Sequence, residues 1–155
     1  MSGLKASKEG KSNFVRPDPL EPGSYPGRLV RVYDLGLQPQ RPYQGQDKPP
    51  AHEIHVTYEF SDEFMKDEDG NDIEDKPRWL SETFVLNPLS SDLAKSTKRY
   101  NAIDPDHDHD GDWSQVLSYP IMINVVVNQK DDKFYENVQS TSTMRKKDAD
   151  KLLVS

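Results

Sequence analysis

The chain has no cysteine among its 155 residues, which excludes disulfides and thiolate metal sites and removes any demand for an oxidising compartment. It has no run of 18 apolar residues, so a membrane-spanning helix is not expected. Apolar residues make up only 33% of it and the mean hydropathy is −0.91, so the core must be small and the periphery well solvated. Catalytic signatures are missing too. There is no glycine-rich phosphate loop and no Gly-x-Ser-x-Gly, and His52 and His55 lack the His-Glu-x-x-His spacing of a zinc protease. The segment from Met1 to Lys11 has no apolar signal core. These absences point to a soluble cytosolic protein, one domain plus tails, that binds rather than catalyses and needs no cofactor or resident metal.

Acids outnumber bases, 27 to 20, which argues against a polyanionic partner until the distribution is considered. Residues 62–75 hold eight acids and one base, and residues 104–112 hold five acids and no lysine or arginine. Outside these two stretches 19 bases face 14 acids. Screening lengths of about 8–10 Å in physiological salt let a basic groove keep its field if the acidic stretches project elsewhere.

Alternation defines the strands. Ile54, Val56, Tyr58 and Phe60 interleave with Glu53, His55, Thr57 and Glu59, a period of two with one buried face. Before it, residues 25–35 read as a first strand, with Val30 and Val32 on one side and Leu29, Arg31 and Tyr33 on the other. After it, Glu68-Asp-Gly-Asn71 reads as a turn. A third strand over 78–86 puts Leu80, Phe84 and Leu86 on one parity and Trp79, Ser81, Thr83 and Val85 on the other. The spacing predicts a short helix after Pro88, capped by Ser90 or Ser91, with Leu93, Ala94 and Tyr100 as its apolar stripe. A fourth strand over 119–128 follows, with Ile121, Ile123, Val125 and Val127 on one face. A turn near Asp131 and Asp132 leads to a fifth strand over 133–138. Five strands with polar turns suit an all-β, partly open barrel with one helix between strands three and four. Residues 1–20 read as a flexible arm carrying Lys5, Lys8, Lys11 and Arg16, residues 21–142 as the domain, and 143–155 as a tail or short helix.

The loop Leu37-Gln-Pro-Gln-Arg-Pro-Tyr-Gln-Gly-Gln-Asp-Lys-Pro-Pro50 is rich in glutamine and stiffened by proline. Arg41 and Lys48 offer cations for phosphate, and Tyr43 offers a flat ring in a polar setting.

Four stretches resemble a known family: Pro22-Gly-Ser-Tyr-Pro-Gly-Arg-Leu-Val-Arg-Val32, Asp34-Leu-Gly36, Glu53-Ile-His-Val-Thr-Tyr-Glu-Phe60, and Lys95-Ser-Thr-Lys-Arg-Tyr100 before Ile103-Asp-Pro. Together they are similar to the small single-stranded-DNA-binding proteins of tailed bacteriophages, which have the oligonucleotide/oligosaccharide-binding (OB) fold. The resemblance covers about residues 21–142. It implies a protein that coats single-stranded DNA during phage replication or recombination in the cytoplasm of a bacterial host. Partners would be single-stranded DNA and phage or host replication and recombination proteins, with no membrane role. One departure is the C-terminus, which is basic and then apolar where many such proteins carry an acidic tail.

On an OB surface nucleic acid lies across strands two and three and between the first-to-second and fourth-to-fifth strand loops. The candidates there are Arg31, Tyr33, Arg41, Tyr43, Lys48 and His55, with Arg78, Trp79, Lys130 and Lys133. Cations neutralise phosphates and rings stack on bases without reading sequence. Parity alone cannot orient strand three, so Trp79 is a candidate both for the core and for stacking. Lys95, Lys98 and Arg99 beside Tyr100 form a further basic cluster, or else the solvated end of a helix that Tyr100 anchors. Asp106-His-Asp-His-Asp-Gly111 imitates the start of a calcium loop, but the twelfth position, which needs a glutamate, is Leu117. A solvated acidic loop is the plainer reading. Two rival functions are a phage structural or protein-interaction β module without DNA binding, and a metal-dependent nuclease built on the acidic loops.

Overall fold

The computed structural model describes residues 14–15 and 18–154. Of the expected arm, residues 1–13, 16 and 17, with Lys5, Lys8, Lys11 and Arg16, lie outside the described residues; residues 14–15 and 18–20 are described. At its end the chain is packed: Leu20 is buried and its N–H donates to Glu136 Oε2 at 2.7 Å.

The fold is mostly antiparallel β, one curled sheet that forms a half-barrel, with two short helices. After the two-residue β1 (Phe14–Val15) come β2 (Gly23–Gln38), β3 (Ala51–Asp67) and β4 (Asp72–Val85), then helix α1 (Lys95–Ile103). A single 3-10 turn (Trp113–Val116) precedes β5 (Pro120–Lys130), β6 (Lys133–Ser142) and helix α2 (Lys146–Val154). The long strands run in the order β6-β5-β2-β3-β4, and β1 adds to the far end of β3.

Curling comes from β2, which serves two neighbours in turn. Residues 23–28 pair with β5 and residues 27–38 with β3. Gly27 stands where both ladders overlap. A Cβ there would lie 2.5 Å from the Glu59 carbonyl oxygen and 2.7 Å from Ile123 Cδ1, so only glycine lets the strands cross this closely. The buried face is the one expected on β3 and β5: Ile54, Val56, Tyr58 and Phe60 meet Ile121, Ile123 and Val125. Each such side chain contributes roughly 1.5–3 kcal/mol of burial.

Three expectations need correction. In β2 the register slips between Leu29 and Arg31, so Val30 is the extra residue of a bulge. Leu29 therefore turns inward, fully buried, together with Val32 rather than opposite it. The acidic stretch 62–75 is mostly strand, not loop: β3 and β4 run on past the barrel as a hairpin arm. Its turn is built by Asp67, whose Oδ1 accepts from the N–H groups of Asp69 and Asn71, both at 2.9 Å. The helix is placed differently as well. With Phe14–Val15 counted, α1 follows the fourth strand, and α2 is a second helix. Neither Ser90 nor Ser91 caps α1; it starts at Lys95 behind Ala94, which makes no side-chain cap. Leu93 is exposed, and the buried stripe is Tyr100, Ala102 and Ile103.

β4 and β6 are the free edges of the half-barrel, and side chains bridge the seam. Glu82 of β4 accepts from Arg99 Nε of α1 at 2.7 Å, from Arg99 Nη2 at 3.2 Å and from the Tyr58 hydroxyl at 2.8 Å. Arg99 Nη2 also reaches the Val138 carbonyl of β6 at 3.5 Å. Further along, Arg78 Nη2 donates to Glu136 at 2.8 Å and Nη1 to the Asp18 carbonyl at 3.1 Å.

Candidate nucleic-acid interface

The pleat that buries the even residues of β3 turns His55, Thr57 and Glu59 to the outer face of the sheet, where Thr57 is covered by its neighbours. The ladders then fix three rows across β2, β3 and β4: Tyr33-His55-Thr83, Arg31-Thr57-Ser81 and Arg28-Glu59-Trp79. Four sequence candidates thus share one outer face. Tyr33 is 51% and Trp79 49% exposed. The Tyr33 and His55 rings stack with centroids 6.3 Å apart. The Arg31 guanidinium lies 5.5 Å from the Tyr33 ring and 4.8 Å from that of Trp79, bridging them by cation–π attraction. His55 Nδ1 lies 2.8 Å from Thr83 Oγ1, and Thr57 and Ser81 hydroxyls pair at 2.8 Å, so the row between the rings is rigid and polar. The Val30 bulge brings Arg31 and Tyr33 to this side.

Beyond Trp79 the face opens into a groove of about 580 Å³ between β4 and β6, lined by Trp79, Phe134 and Tyr135, by Lys133 beside Asp132, by the Arg78–Glu136 pair, and by Asp18 and Met65. Phe134 and Tyr135 are half exposed and were not singled out from sequence. Two consecutive rings on a strand must face opposite sides, so at least one of them had to leave the core. Lys130 and Lys133 flank the tight turn of Asp131 and Asp132, both at positive φ.

At the other end, the 37–50 loop projects as an arm. Tyr43 and Gln46 exchange backbone hydrogen bonds of 2.9 and 3.0 Å across a two-residue turn with positive φ at Gln44 and Gly45. Tyr43 is 62% exposed, Lys48 Nζ lies 5.1 Å from its ring, and Arg41 is exposed beside them. Where the arm leaves the sheet, the Gly36 N–H and His52 both bond Asp34 Oδ1 and hold that carboxyl below its usual range.

Other candidates are placed elsewhere. Arg99 is buried against Glu82, and Arg78 is held by Glu136, so neither guanidinium is free for phosphate. Lys95 lies 3.6 Å from Glu82, and Lys98 alone of the helix cluster is exposed without a bonded acid. Tyr100 is fully buried and donates to Asp104 at 2.6 Å. Burial disfavours charge on Asp104, but that bond and the N–H groups of His109 and Asp108 outweigh it and hold its pKa below normal. The 104–112 loop is thereby a knot around one buried carboxylate. Its histidines bond Asn101 and the Tyr119 hydroxyl, both at 2.6 Å. Among the described residues no group of three or more His, Asp or Glu is arranged to hold a metal ion, and no helix is long and apolar enough to cross a membrane.

Neither the protein-family models nor the curated proteins searched give a match to this chain.

Proposed function

We propose that this protein binds single-stranded DNA on the outer face of β2, β3 and β4, in the manner of an OB-fold coating protein of the tailed-phage type. One observation carries the reading: on one outer face the half-exposed rings of Tyr33 and Trp79, with the partly covered His55 beside Tyr33, are bridged by Arg31 and continued by Phe134 and Tyr135. Large aromatics left in water on one side of a protein with so small a core cost burial that the fold could have used. Stacking on bases, worth roughly 1–3 kcal/mol per base, accounts for their exposure. Strand order and the partner exchange of β2 suit an OB barrel, with the 37–50 arm and the β5–β6 turn as the two flanking loops. The acid-rich arm at 62–75 borders the groove through Met65, and Asp18 and Asp132 stand on the groove's rim, so phosphate would be met by Arg31, Arg41 and Lys48 on the sheet and its loop. Unpaired bases are required, because a duplex hides the ring faces that these side chains would meet.

The test is an anisotropy titration of labelled oligo-dT with duplex DNA as competitor, at several salt concentrations. Binding should favour the single strand, and log K should fall with log salt by about 0.7 for each phosphate neutralised. Equal affinity for duplex, or none for either, would reject the proposal.

A second reading, a phage structural or protein-interaction module, rests on a different observation. A cleft of about 360 Å³ is lined by Val32, Ile54, Leu86, Trp113 and Leu117, with Asp34 and Asp112 beside them. Stoichiometric copies in purified particles together with no oligonucleotide affinity would select it.

A further inference from the structure

The centre of the proposed binding face carries an anion, which is a poor choice for a surface meeting phosphates. Glu59 sits on β3 between Arg28 and Trp79. Its Oε2 accepts the Trp79 indole N–H at 3.0 Å, and its Oε1 lies 3.4 Å from Arg28 Nη2. Its side chain is largely covered, at 21% exposure. Trp79 makes no other polar contact through its ring nitrogen; it is half exposed, with the Arg31 guanidinium over its ring.

Resting on the binding reading above, we infer that Glu59 is a positioning residue with two separable effects. Its oxygen fixes the Trp79 ring so that one face stays presented to a base. Its charge holds Arg28 away from phosphate and weakens retention of the strand, so the coat forms on exposed DNA yet releases it readily. A hydrogen-bond acceptor accounts for the first effect, and only a carboxylate for the second.

Glu59→Gln and Glu59→Ala separate the two. Glutamine keeps an acceptor for the indole and removes the charge; alanine removes both. Trp113 is buried, so acrylamide quenching and the fast component of indole anisotropy in the free protein report on Trp79. Glu59→Gln should leave both signals at their wild-type values. It should bind oligo-dT about threefold tighter, the effect of one unit charge roughly 7 Å from a phosphate at the permittivity of water. Its salt slope should steepen by about 0.7 as Arg28 becomes free for a phosphate. Glu59→Ala should show a mobile indole and bind more weakly than Glu59→Gln. Identical behaviour of the two variants, or weaker binding by Glu59→Gln than by wild type, would overturn the inference. An unchanged indole signal in Glu59→Ala overturns the anchoring effect whatever the DNA result. Absence of oligo-dT binding by the wild type would instead bring down the functional reading, and the charge effect with it.

Discussion

Replacing Glu82 with alanine should strip the half-barrel of its main bridge across the open seam. The Glu82 side chain is 9% exposed and that of Arg99 4%. The carboxylate receives the Arg99 guanidinium and the Tyr58 hydroxyl together. Its removal leaves a buried cation without a counter-charge, which costs about 3–5 kcal/mol. For a chain of this length each kcal/mol moves Tm by about 2–4 °C, so a loss near 4 kcal/mol lowers Tm by roughly 8–16 °C. Glu82→Gln keeps an acceptor and should lose about half as much. Lys95, half exposed at 3.6 Å, adds at most about 1 kcal/mol, because water screens it. The double change Glu82→Leu with Arg99→Met removes both charges from the seam and should recover part of the loss, since apolar replacement of a buried pair is often neutral, while the buried Tyr58 hydroxyl still lacks its acceptor. Thermal and urea unfolding followed by circular dichroism measure all three variants. Glu82→Ala within about 1 kcal/mol of wild type, or a double variant as unstable as the single, would refute the argument that desolvated charge is what the pair manages.

Trp79→Ala should weaken oligo-dT binding by roughly 5- to 150-fold, the equivalent of about 1–3 kcal/mol of stacking, with Ser90→Ala as an exposed control that changes little; equal effects would remove Trp79 from the site. Gly27→Ala should cost about 1–3 kcal/mol or more in urea unfolding, because the new methyl meets the Glu59 carbonyl at 2.5 Å and strands cannot part locally; a neutral result would mean that the crossing is looser than described. Burial, and then the charge of Glu82, raises the Tyr58 phenol well above its ordinary value near 10, and burial with the bond to Asp104 raises that of Tyr100. Both folded values lie above the unfolded one, so their contribution is intact below pH about 10 and is lost as pH rises beyond it. In a 295 nm titration Tyr58→Phe should overlay wild type until unfolding begins; missing amplitude before that point would show that Tyr58 ionises in the folded state.

Much of the architecture was legible because period-two alternation is a direct consequence of the pleat. Ile54, Val56, Tyr58 and Phe60 on β3, and Ile121, Ile123 and Val125 on β5, declare their buried face without help. What failed was local. One bulge residue, Val30, reverses the parity of everything before it, and no composition signal marks a bulge without glycine. The acidic stretch 62–75 was read as loop from its charge, yet an exposed hairpin arm needs no apolar face to keep its ladder. Arg99 looked like a surface cation because its partner, Glu82, is 17 residues away and on another element. The same distance effect hid Arg78 behind Glu136. On the candidate face, Arg31, Tyr33, His55 and Trp79 were named from residue type alone, and pairing in the sheet is what joins them. Phe134 and Tyr135 carry no such signal, because adjacent rings in a strand fit a core-facing position as readily as an exposed one.

The central claim is that bases lie against the rings of this outer face. Oligo-dT carrying 5-iodouracil, cross-linked by long-wavelength light and mapped by mass spectrometry, tests it at single-residue level. Cross-links are expected at Trp79, Tyr33 or Tyr135. Adducts confined to the C-terminal helix or the 62–75 arm, or none at saturating oligonucleotide, would contradict it.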